Sequence, residues 1–111
     1  MLISVTDANG VSQTVVTQTQ ESISVLDGSI TTGNVSQTIT VGVPLRSGWL
    51  FQNTSSSTLY VEDVNSAAAI GKGYQVAAGQ MISTYLGLPN SANAIQVIGA
   101  TAGQNFTFRQ W

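Results

Sequence analysis

The stretch Arg46–Asp63, RSGWLFQNTSSSTLYVED, decides how the rest of the chain reads. Two runs that alternate apolar and polar residues flank a tract of Asn, Thr and Ser. Successive side chains along a strand point to opposite faces. Trp49 and Phe51 therefore share one face, with Leu50 and Gln52 on the other. Leu59 and Val61 likewise share a face, as do Tyr60 and Glu62. Two such runs around a polar tract predict a β-hairpin.

The same period of two extends in both directions. Upstream, LISVT (Leu2–Thr6) runs into Asn9-Gly10, a strong short hairpin signal. Val11–Thr19, Ser22–Leu26 and VSQTITV (Val35–Val41) follow as further β-rich segments. Downstream lie Tyr74–Gly79, Gln80–Tyr85, Ala94–Gly99 and NFTFRQW (Asn105–Trp111). Asn65–Gly71, NSAAAIG, is the one segment that predicts a helical turn, with Asn65 or Ser66 as N-cap and Gly71 as its stop. Short strands separated by Gly, Asn, Ser and Pro turns predict an all-β chain. The architecture expected is a β-sandwich or jelly-roll of about eight or nine antiparallel strands. No glycine occurs from Val11 to Asp27, while ten of the eleven lie from Gly28 onward. Residues 1–27 are therefore expected to form an N-terminal arm or hairpin, and residues 28–111 the domain. The arm's strands pair either within the chain or with a neighbouring subunit.

Composition narrows the function. Only 7% of the 111 residues are charged, where about 25% is usual. Ser, Thr, Gln and Asn supply 43 residues, so the surface is one of hydroxyls and amides. Lys72, Arg46 and Arg109 are the only bases, and the net charge is −2. Three bases are too few to neutralise a run of phosphates or to hold an anionic membrane. The chain has no apolar run of about 18–20 residues, and MLISVTDANG does not read as a signal peptide. A weakly charged surface does little to keep copies apart, which suggests life in an assembly and self-association as a dimer or trimer.

The chemistry of enzymes is sparse. With no His and no Cys, the usual zinc sites, Ser-His-Asp triads and thiol nucleophiles are not available. Five carboxylates remain, at Asp7, Glu21, Asp27, Glu62 and Asp63. Glu62 and Asp63 adjoin, but strand neighbours point apart, so the pair reads as the solvated end of the hairpin rather than an acid–base dyad. DANG lacks the later ligands of a calcium loop, and Gly71-Lys72-Gly73 lacks the spacing of a phosphate loop. Asn34, Asn53 and Asn105 stand in glycosylation triplets of the kind that chance supplies in so Ser- and Thr-rich a chain. No catalytic, cofactor or metal residue is expected. Sugar-stacking aromatics are a further class, with Trp49, Tyr60, Tyr74, Tyr85 and Trp111 as candidates. The plain alternative for each is the core or a subunit interface.

Three segments together resemble a small β-module of tailed-bacteriophage virion proteins: Arg46–Val61, Gly73–Gln80 (GYQVAAGQ) and Ala94–Trp111 (AIQVIGATAGQNFTFRQW). In that module an R-x-G-x-x-x-Q-N-x-S strand leads into L-Y/W-V, and the chain closes on GA-T-x-G-Q-x-F-T. The nearest likeness is to capsid decoration (staple or cement) proteins of podoviruses similar to Salmonella phage epsilon-fifteen, over roughly residues 28–111. The resemblance implies a non-enzymatic structural protein, made in the host cytoplasm and bound to the outer surface of the capsid. There it would bridge subunits of the major capsid protein lattice and stabilise the shell. The alternative is a tail or head-fibre module that recognises a host surface glycan. Candidate partner contacts are Thr54, Ser55, Ser56 and Ser57 in the loop and Val11, Gln13, Val15 and Thr17 in the arm. Tyr85 and Trp111 are candidate interface aromatics.

Overall fold

The computed structural model describes residues 23–111 in full, together with the backbone pairing of β1 (Leu2–Thr6) and β2 (Ser12–Val16). These two strands form an antiparallel ribbon, with Leu2 opposite Val16 and Thr6 opposite Ser12. Asn9-Gly10 lies outside the described residues.

Nine further strands follow: β3 (Ser24–Val25), β4 (Gly28–Ser29), β5 (Gln37–Thr40), β6 (Trp49–Asn53), β7 (Leu59–Glu62), β8 (Tyr74–Val76), β9 (Met81–Ser83), β10 (Ile95–Gly99) and β11 (Asn105–Gln110). One sheet has the order β5-β10-β7-β8. In the other, β11 lies between β6 and the short strands β3 and β4, and β9 flanks β6. Every pairing is antiparallel. The pairs β4·β11, β5·β10, β6·β9 and β7·β8 describe one long folded hairpin closed between β7 and β8. Rolling it so that β6 meets β11 and β7 meets β10 gives two face-to-face sheets with jelly-roll connectivity.

The opening stretch of sequence thus forms strands where expected but not the expected hairpin. Strands β6 and β7 belong to different sheets, and residues 54–58 carry the chain across the sandwich. The burial pattern is the predicted one: Trp49, Phe51, Leu59 and Val61 are all fully buried. Two strands that each bury alternate residues satisfy that pattern side by side or facing across a core, and here they face each other. Phe106 and Phe108 complete the inner face of their sheet. Trp49 stacks on Phe108 at 6.0 Å and Phe51 on Phe106 at 5.6 Å between ring centres. Opposite them lie Val76, Ile95 and Val97. Each such side chain removed from water contributes roughly 1.5–3 kcal/mol.

Three local expectations are corrected. The main sheet starts at Ser24, not Gly28, because Ser24 and Val25 pair with Gln110 and Arg109. Leu26 also packs against the core. Residues 65–71 form no helix: Asn65 sits at φ 64°, whereas an N-cap is extended. The Ala68 amide donates to Ser36 Oγ instead of a helical carbonyl. Finally, Asp63 is buried rather than solvated.

Gly99 faces inward opposite Leu59, and a Cβ there would lie 2.3 Å from Gln104 Oε1 and 2.7 Å from Leu59 Cδ2. Gly99→Ala should therefore cost about 1–3 kcal/mol, read as a lower urea midpoint with an unchanged slope.

Asp27 joins β3 to β4. Its carboxylate accepts from the Phe108 amide at 3.2 Å and from the Arg109 guanidinium. The bond to Arg109 is the main reason its pKa lies below the ordinary 3.8; desolvation opposes it, and the Phe108 amide and the Arg109 charge add smaller lowering effects. A carboxyl whose pKa is lowered on folding stabilises above its unfolded value and loses that contribution as pH falls through the folded one. Below pH 3.8 the wild type should lose stability more steeply than Asp27→Asn, as followed by thermal melting across the acid range.

Candidate functional site

Because the pairing is antiparallel throughout, the loops collect at two opposite ends. One end carries residues 30–36, 54–58, 77–80 and 100–104, and the other residues 41–48, 63–73, 84–94 and Trp111. The two ends differ in chemistry.

At the first end, Thr54–Ser57 and Thr101–Asn105 line an open groove of about 400 Å³. Asn53 is wholly buried and sets the shape of one wall. Its Nδ2 donates to the carbonyls of Ser57 (2.7 Å) and Val76 (2.9 Å). Its Oδ1 accepts from the Ser55 amide (2.9 Å) and hydroxyl (2.7 Å). Gln104 sets the other wall. Its Nε2 donates to the carbonyls of Ser57 and Thr58, and its Oε1 accepts from the Thr101 amide. The turn between them needs Gly103, which sits at φ 88°. Thr54 N also donates to Asn105 O at 3.2 Å, tying the walls together.

The groove contains no charged side chain. Among the described residues the hydroxyls of Thr54, Ser56, Ser57 and Thr101 take no hydrogen-bond partner, so they face solvent ready for one. The structure thus gathers the four loop candidates Thr54–Ser57 and adds residues 101–105. In sequence these are 44 or more positions away, and GATAGQ gave no sign of the contact. Asn53 could not carry a glycan as the chain is folded, since its amide is consumed in the core.

The second end is built around Arg46, which is 5% exposed. Its Nε donates to Gln110 Oε1 (3.0 Å), and its terminal nitrogens donate to the carbonyls of Ser91 (2.5 Å), Asn93 (2.9 Å) and Val41 (3.4 Å). Its own carbonyl accepts from Asn90 Nδ2. Burial pulls the guanidinium pKa below its ordinary value, and the nearby Asp63 opposes this. The Asp63 carbonyl accepts from Ser91 Oγ and Asn93 Nδ2, both at 3.1 Å. Tyr74 donates to the Asp63 carboxylate at 3.4 Å. Its phenol pKa is raised, first by burial and then by Asp63. One cation therefore ties loops 41–48 and 84–94 to the end of β11. It is spent on structure and is not free for a ligand.

Tyr85 and Trp111 lie at this same end. They stack on each other with ring centres 5.4 Å apart and planes inclined by 24°. Of the other candidate aromatics, Trp49 belongs to the core and Tyr60 and Tyr74 are half-buried. Gln13 and Val15 lie on β2, while Val11 and Thr17 fall outside the described residues.

Asn53→Ala should cost about 1–3 kcal/mol, because the Val76 and Ser57 carbonyls each lose a donor, Ser57 keeping Gln104 Nε2, and the Ser55 amide loses its acceptor. Hydrogen exchange at the Ser55 amide should speed up in the same variant as the groove wall loosens.

Compared with known proteins, the chain matches no family model, no curated sequence and no solved structure.

Proposed function

We propose that this protein is a non-enzymatic phage virion component that binds the outside of the assembled head and bridges major capsid subunits. The observation that carries this reading is the neutral groove of Thr54–Ser57 and Thr101–Asn105, whose walls are fixed by buried Asn53 and Gln104. The family resemblance of the segments that build it supplies the context. A staple needs no reactive group. It needs a rigid body with a hydroxyl and amide surface able to hydrogen-bond across a wet interface. Each neutral hydrogen bond adds only about 0.5–1.5 kcal/mol. Useful affinity then comes from repeated engagement on a lattice. Because the assembled shell binds the protein and dissociated subunits do not, occupancy stabilises the shell by mass action.

The test is co-sedimentation of the purified protein with expanded heads that lack it, followed by heating. Saturable binding and a higher rupture temperature are expected. Ser56→Glu, on an exposed loop position, should weaken binding by about tenfold or more with no change in melting. Absence from heads, with the protein found instead in tails or on host polysaccharide, would move the module to host recognition.

A further inference from the structure

The sheet that carries β11 has an apolar outer face where it approaches Trp111. Phe108 points into the core, so Arg109 points outward, and its register partners Val25 and Leu50 flank it on the same side. Next on the same alternation comes Trp111, with Tyr85 stacked on it. Val25 is 59% exposed and Tyr85 82%, and Ile23, two residues before Val25, is also 59% exposed. Arg109, the charge in this row, is already paired with Asp27. The surface is also firm. Trp111 lies over Gly48, where a Cβ would come within 2.6 Å of its Cζ2. Tyr85 sits in the 3-10 turn Thr84–Leu86, capped by the Ser83 hydroxyl, which accepts from the Leu86 amide at 3.3 Å.

We propose that this face receives the β1·β2 ribbon of a second copy of the chain, and that the exchange is reciprocal. The ribbon needs a surface. It pairs with neither sheet, and a two-stranded ribbon alone is marginally stable in water. Its two strands carry no charged residue. Its register sets Ile3 opposite Val15 and Val5 opposite Gln13, so that face of the ribbon is mostly apolar. The path of the chain selects a second copy over the same one. Strand β3 runs antiparallel to β11, with Ser24 opposite Gln110. Followed back from Ser24 toward the ribbon, the chain therefore leaves the sheet past Trp111. To cover its own outer face it would then have to reverse direction. Between Val11 and Leu26 there is no Gly, Pro or Asn, the residues that favour tight reversals. The steps from Val16 to Ile23 span up to about 25 Å when extended, enough to carry the ribbon clear of its own sandwich. Strand β3 is at the edge of the face that would receive the ribbon. Two copies related by a two-fold axis therefore satisfy each other and close. The inference does not depend on the proposed binding to heads.

Sedimentation equilibrium of the full chain should show monomer and dimer in exchange, with a dissociation constant of about 1–100 μM. Tyr85→Glu, which sets a charge in the apolar contact, should raise that constant about tenfold or more with melting unchanged. The chain has no cysteine, so introduced ones report contacts cleanly. Full chains carrying Ile3→Cys, mixed with full chains carrying Tyr85→Cys and treated with a short bismaleimide, should give a cross-linked heterodimer. Three results would overturn the exchange. The first is a monomer throughout that range, including one whose Tyr85 becomes covered only on heads, which would assign the face to capsid protein. The second is a dimer that Tyr85→Glu leaves as tight as the wild type. The third is cross-linking inside a single chain that carries both cysteines, with none between copies, which would place the ribbon on its own sandwich.

Discussion

The architecture turns on one crossing. Between Asn53 and Leu59 the chain leaves one sheet and enters the other, so β6 and β7 bury their apolar faces toward each other. A chain that leaves a ladder this abruptly strands backbone carbonyls, and unpaired buried polar groups are costly. Asn53 resolves this by donating to Ser57 and Val76, one carbonyl from the crossing and one from the opposite sheet. Gln104 reaches the same Ser57 carbonyl from the other side. The two amides that allow the sheets to be joined are also the two that shape the groove. Fold and candidate site are therefore held by the same hydrogen bonds.

The opposite end solves a similar problem with a charge. Loops 41–48 and 84–94 are long and lack regular pairing, and their carbonyls converge on the Arg46 guanidinium. Hydrogen bonds to a charged donor are worth about 1.5–3 kcal/mol, more than neutral ones. One arginine can therefore order several loops where hydroxyls would not. In a chain with so few charges, this one stands at the centre of a loop cluster. The outward result is a firm base for Trp111 and Tyr85.

The two ends present different surfaces: a neutral groove of hydroxyls and amides at one, and at the other exposed Val41, Leu45, Val64, Tyr85 and Leu86 beside Lys72. Contacts made through the groove should vary little with salt, since screening acts on charges that its lining lacks. Rigidity matters more than strength here, because weak contacts add usefully only when their geometry is held in advance.

Much of this was legible in the residues. The alternation Trp49-Leu50-Phe51-Gln52 and Leu59-Tyr60-Val61-Glu62 determined which faces are buried, because strand geometry has a period of two whatever the partner. Low charge and the absence of His and Cys determined the chemistry of the surface. Partner choice was not legible. A strand's period is the same beside a neighbour or across a core, so β6 and β7 read as a hairpin until the sandwich separated them. Nor did the sequence announce that Thr101–Asn105 would meet Thr54–Ser57, or that Asp63 would be buried near Arg46. Ser57 and Thr101 lie 44 positions apart and Arg46 and Asp63 lie 17 apart in separate loops, and only closing the two sheets on one another brought them together.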